Sequence, residues 1–144
     1  MKQLINGWNT KEVFLLYNFL ESYERGSLSS YEKDDQLFKE HPEVKNLEVL
    51  FKSISYVTKK KSSKLQDLLP SSGKNEIFLL SHGTPLLSFL YHVRNSIAHG
   101  AIEKRGNEVL VVDWCKNRPT NLSARGLISF ETIRQFTDIL NNIE

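Results

Sequence analysis

Four side chains able to move protons or hold a phosphate lie close together in the middle of the chain: His92, Arg94, Asn95 and His99. Histidine, with an unperturbed pKa of about 6.5, can both take and give a proton near neutral pH, so it can activate a ribose 2′-hydroxyl. Arginine offers a fixed fork of donors to the non-bridging oxygens of a phosphate and stabilises the added charge on phosphorus without a metal. The Asn95 amide can hold either the phosphate or the imidazole tautomer. Together these types suit cleavage of a phosphodiester. A structural reading fits the same residues: a histidine or arginine near a helix-ending glycine bonds the last carbonyls and gains from the helix dipole. On that reading His92 is a surface residue paired with Ser96 one turn on. Metal binding fits poorly, because no acidic residue shares the histidine face and no cysteine joins it, and His41 and His82 have no partner spacing.

These residues need a helix to position them. Thr84 as N-cap and Pro85 at the first helical position predict a helix to His99, ended by Gly100 in the left-handed conformation. At about 100° per residue, Leu86, Leu90, Val93 and Ile97 form a core stripe. His92, Asn95 and His99 lie almost opposite it as a polar face. Arg94 points about 140° away from His99, so an intact helix does not readily bring its guanidinium onto that imidazole, whereas a second subunit can. Leu87, Tyr91 and Ala98 make a second, semi-apolar strip, which a helix either buries deep in a bundle or packs on another chain; the second arrangement is a homodimer. A two-fold interface would bring both copies of His99, with the Arg94 residues nearby, into one cleft.

The remaining elements follow from periodicity and punctuation. Thr10 is expected to cap a first helix carrying Val13, Leu16, Tyr17 and Leu20, with Gly26 as its stop. A short helix is placed around residues 31–40, and Pro42 opens a long one through Val44, Leu47, Leu50, Phe51, Ile54 and Val57. The run KKKSSK from Lys59 reads as a linker or as a phosphate-attracting patch. Leu65, Leu68 and Leu69 allow a turn or two of helix before Pro70, and residues 75–81 are expected to be helical. AIEK, the turn at Arg105, Gly106 and Asn107, and EVLVVDW predict a β-hairpin in which Val109, Val111 and Asp113 alternate against Leu110 and Val112. A loop through Pro119 and Gly126 then leads to a last helix capped by Ser129, with Phe130, Ile133, Phe136, Thr137 and Leu140 inward. The expected fold is all-α, an up-and-down bundle of about four main helices with one inserted two-stranded β-hairpin.

Composition bounds the setting. The 144 residues are 40% apolar and 25% charged, which describes one domain over residues 1–144 with a core of its own. The single cysteine, Cys115, excludes an internal disulfide. The N-terminal residues lack a signal-peptide core and no apolar stretch approaches the ~20 residues of a bilayer span, so a cytoplasmic protein without a membrane partner is expected. A net charge of +2 neither proves nor opposes a nucleic-acid partner. Trp8 and Trp114 read as half-buried packing residues, since neither lies in a basic aromatic run.

The segment Arg94-Asn95-Ser96-Ile97-Ala98-His99-Gly100, RNSIAHG, resembles the signature of the HEPN superfamily: an arginine, a polar residue directly after it, and a histidine four to six positions beyond the arginine. The resemblance covers the helix from about Thr84 to Gly100, with a looser likeness in the hairpin and the SARG stretch at 123–126. It implies a small helical domain that dimerises and joins its arginine and histidine signatures in a composite site that cuts RNA without metal or other cofactor. His99 would then be the catalytic base or acid, Arg94 the phosphate and transition-state clamp, and Asn95 their support. His92, Arg118 and Arg125 are candidate substrate contacts, with two exposed loop arginines as the plainer account of Arg118 and Arg125. The expected products are a 2′,3′-cyclic phosphate and a 5′-hydroxyl. Many members are toxins of toxin–antitoxin pairs or phage-defence effectors, often encoded with a nucleotidyltransferase-like antitoxin. Two alternatives stand beside this. One is a non-catalytic HEPN-like protein that binds a protein partner or nucleotide; the other is an antitoxin or immunity component docking through Leu87 and Tyr91.

Overall fold

Between positions 76 and 129 the short apolar runs pair with one another as strands, and that pairing decides the architecture. The computed structural model describes residues 7–25, 70–79, 85–114 and 122–141. In chain order they form α1 (Thr10–Arg25), β1 (Glu76–Leu79), α2 (Pro85–Ala98), β2 (Ile102–Arg105), β3 (Glu108–Trp114), β4 (Leu122–Ser129) and α3 (Phe130–Asn141). The strands make a four-stranded antiparallel sheet in the order β1-β4-β3-β2. The fold is therefore α+β, and the expected all-α bundle is wrong.

The predicted hairpin is present as β2 and β3, with Arg105 paired to Glu108 across a turn in which Gly106 has φ 62°. Two further strands were misjudged. Residues 76–79, expected as helix, pair with β4, because a short apolar run has no periodicity of its own and takes the partner the fold supplies. Residues 122–129, expected as loop up to Gly126, pair with both β1 and β3. Gly126 is not a turn here. A Cβ on it would stand 2.6 Å from the Cβ of Ile77, so the glycine permits a close approach of the two strands.

Among the described residues α2 and α3 pack against the sheet, and α1 packs on both of them. The core joins Leu86, Leu90, Val93 and Ile97, the predicted stripe of α2, to Ile77, Val109, Val111, Ala124 and Ile128 on the strands, and to Leu16, Phe19, Ile133 and Phe136 on α1 and α3. Burying each such side chain is worth roughly 1.5–3 kcal/mol, enough to set which side of α2 faces the sheet. Phe78 and Leu122, with Val112, form a separate cluster on the opposite face.

Helix ends are specified locally. Asn9, rather than Thr10, caps α1: its Oδ1 accepts the Glu12 backbone N–H at 2.9 Å, and Glu12 Oε1 accepts the Asn9 N–H at 2.9 Å. Burial alone would raise the Glu12 pKa, but Lys104 at 2.9 Å on β2 and the Asn9 N–H hold it below the ordinary carboxylate value. Ser129 caps α3 as expected, its Oγ accepting the Thr132 N–H at 3.1 Å. Trp8 is half-buried, edge-on to Phe130 at 5.8 Å, whereas Trp114 is exposed. Gly26, the helices placed at 31–40 and from Pro42, the Lys59 run, Leu65 to Leu69, Thr84, Cys115, Arg118 and Pro119 lie outside the described residues. Among those described, no helix is long and apolar enough to cross a membrane.

Candidate functional site

The C-terminal end of α2 closes on its own backbone. Gly100, at φ 69°, donates its N–H to the Ile97 carbonyl at 3.1 Å, and Ala101 donates to the Ser96 carbonyl at 2.8 Å. This pair of bonds is the Schellman closure that a left-handed glycine permits. His99 therefore has no capping duty. Its side chain is exposed and makes no hydrogen bond among the described residues, so the structural reading of His99 as a carbonyl-binding cap does not hold.

The supposed polar face of α2 is largely interior. His92 is 1% exposed and Asn95 is buried, because both turn toward β3. Alternation along β3 puts Val109, Val111 and Asp113 on the helix-facing side, so the apolar part of the strand meets the core stripe and Asp113 meets the polar side of α2. The buried Asp113 Oδ2 lies 2.7 Å from His92 Nδ1 and accepts the Asn95 Nδ2 hydrogen at 3.3 Å. Ser96 bonds back to the His92 carbonyl at 2.9 Å, not to its imidazole.

Arg94 leaves this interior network at the surface, its side chain 32% exposed. Its Nη1 donates to Asn95 Oδ1 at 2.8 Å and its Nε to Glu24 Oε1 of α1 at 2.6 Å, with Nη2 also against that carboxylate. Beside them, burial pushes the Tyr23 phenol above its ordinary pKa, the Arg94 charge opposing the shift and the Glu24 charge adding to it. Arg94 makes no hydrogen bond to His99, in keeping with their separation around the helix. What faces solvent is the other strip: Tyr91 is 43% exposed, Ala98 is exposed and Leu87 half-buried, with Arg94 alongside and the exposed His99 farther round the helix end.

The predicted site residues thus divide. Arg94, Asn95 and His99 occupy one helix end, with the arginine and histidine reaching the surface. His92 is interior and not placed to touch a substrate. Arg125 lies in β4 rather than in a loop, paired with Val112 and Phe78 on the sheet face turned away from α2. Sequence reasoning missed Asp113 and Glu24 as partners; the alternation of Asp113 with Val109 and Val111 was the available sign for the first, and nothing local marked the second. Among the described residues no three His, Cys, Asp or Glu side chains gather as a metal site. No family model matches the chain, and neither a curated protein nor a solved structure matches it significantly.

Proposed function

We propose that the chain is a HEPN-type, metal-independent endoribonuclease that works as a homodimer. The observation that carries this reading is an exposed His99, without a side-chain hydrogen bond among the described residues, at a helix end that its backbone closes, on the same helix as the surface Arg94 and the Leu87–Tyr91–Ala98 strip. In a two-fold dimer built on that strip, one His99 takes the proton of the ribose 2′-hydroxyl while the oxygen attacks phosphorus. Arg94 of the other subunit neutralises the charge on the non-bridging oxygens, and the departing 5′-oxygen takes its proton from water. The products are a 2′,3′-cyclic phosphate and a 5′-hydroxyl. Such an enzyme suits the toxin of a toxin–antitoxin or phage-defence pair, held in check by a nucleotidyltransferase-like partner.

The purified protein incubated with RNA in EDTA is expected to leave cyclic-phosphate ends. His99→Ala abolishes cutting while changing stability by no more than about 0.5 kcal/mol, since the backbone closes the helix without it. Intact RNA, or cutting that survives the substitution, removes the assignment. The second reading, a non-catalytic protein that binds a partner or nucleotide, is favoured by one observation: Glu24 already occupies the Arg94 fork. It predicts that releasing Arg94 from Glu24 changes nothing in RNA binding.

A further inference from the structure

We infer that Asp113 is a positioning residue for Arg94, acting through the Asn95 amide; its catalytic consequence rests on the ribonuclease reading above. The inference starts from the polarity of the groups. A carboxylate is acceptor only and a guanidinium donor only, while an amide has one end of each kind. Asn95 lies between the two, giving its Nδ2 hydrogen to Asp113 at 3.3 Å and taking Arg94 Nη1 on its Oδ1 at 2.8 Å. The reversed amide would set its NH2 against the guanidinium and its oxygen against the carboxylate, losing both bonds, so the orientation of Asn95 is forced by its neighbours. Asp113 is itself held. His92 Nδ1 lies at 2.7 Å from the same Oδ2, and Ser123 bonds its backbone carbonyl at 3.1 Å.

A buried carboxyl group on the sheet therefore sets which face of a helical amide meets a surface arginine. The inner edge of Arg94 is fixed by this relay, and the outer edge, carrying Nε and Nη2, rests among the described residues on the exposed Glu24. That outer edge is the one a phosphate can reach. The relay thus holds the guanidinium plane while leaving its working edge exchangeable, which a lone surface arginine with four free torsions does not achieve.

The test uses the full chain with Asp113→Ala, Asn95→Ala and Asp113→Asn. Rotation of the Arg94 guanidinium about Nε–Cζ is read by carbon-detected NMR, and kcat and KM by RNA cleavage in EDTA. Asp113→Ala and Asn95→Ala are each expected to speed the rotation about tenfold, the loss of one charge-assisted hydrogen bond. Asp113→Ala lowers kcat roughly 10- to 100-fold with KM within about twofold, as misplacement of a transition-state clamp does. Asp113→Asn, whose oxygen can still accept from Asn95, restores slow rotation and most of kcat. Unchanged rotation in Asp113→Ala, or kcat unaffected beside faster rotation, overturns the positioning role. If Asp113→Ala does not fold, Asn95→Ala decides, since it leaves the His92–Asp113 pair in place and unchanged rotation there overturns the relay. Failure of the unaltered protein to cut RNA removes the ribonuclease reading alone, while the rotation measurements still decide the relay.

Discussion

Arg94 sits between two competitors for its donors. Glu24 is more than half exposed, and an ion pair of that kind is worth about 0–1 kcal/mol, whereas a phosphodiester offers the same fork two oxygens and arrives with its own charge. On the proposed ribonuclease reading, Glu24 would be a placeholder that an RNA phosphate displaces. Glu24→Gln is expected to tighten binding of an uncleavable 2′-deoxy-substituted RNA by up to about fivefold at low salt, read by fluorescence anisotropy. Equal binding by the variant and the unaltered protein favours the non-catalytic reading of Arg94. The histidines show how little residue type says about role. His92 and His99 share one helix and nearly one direction, yet one lies beside a buried carboxylate and the other stands in solvent.

At the scale of elements, the site depends on how β3 is set in the sheet, because β3 carries Asp113 to α2. β3 pairs with β4 from Glu108 to Trp114, with a register irregularity between Asp113 and Trp114, and β4 in turn pairs with β1 across Gly126. Gly126→Ala would drive a methyl group to 2.6 Å from the Ile77 Cβ and Cγ1 and 3.0 Å from its Cα, and backbone on one side leaves little room to yield. The expected cost is about 1–3 kcal/mol of stability in urea unfolding, with hydrogen exchange rising first in β1. A substitution without measurable cost would show that β1 and β4 are spaced more loosely than described.

For the whole molecule the decisive feature is which surface of α2 remains open. The sheet and the helix layer cover the core stripe and the His92–Asn95 side, leaving Tyr91 and Ala98 exposed and Leu87 half-buried, with Arg94 alongside and His99 exposed at the helix end. A composite cleft across a two-fold axis makes a specific demand: Arg94 of one subunit must work with His99 of the other. Mixing Arg94→Ala protein with His99→Ala protein under conditions that allow subunits to exchange is expected to restore part of the RNA cleavage that each variant lacks alone. Sedimentation should show the same dimer in all cases. Two inactive variants that stay inactive when mixed, although shown to exchange, exclude pooling of the two side chains.

The sequence by itself determined what is local: the caps at Ser129 and Gly100, the hairpin turn at Gly106, the core stripe of α2 and the adjacency of Arg94, Asn95 and His99. Each depends on neighbours within a few residues, where backbone geometry and period suffice. Tertiary structure alone decided the rest. A run such as EIFL becomes a strand only when β4 is there to pair with it, and Gly126 becomes a strand residue only because Ile77 presses against it. His92 turns inward and Arg94 is held at its outer edge because Asp113 and Glu24, distant along the chain, are brought to α2 by the packing of a sheet and a helix. Partners so far apart leave no period to read, and the polarity of a helix face does not tell whether water or a buried carboxylate will satisfy it.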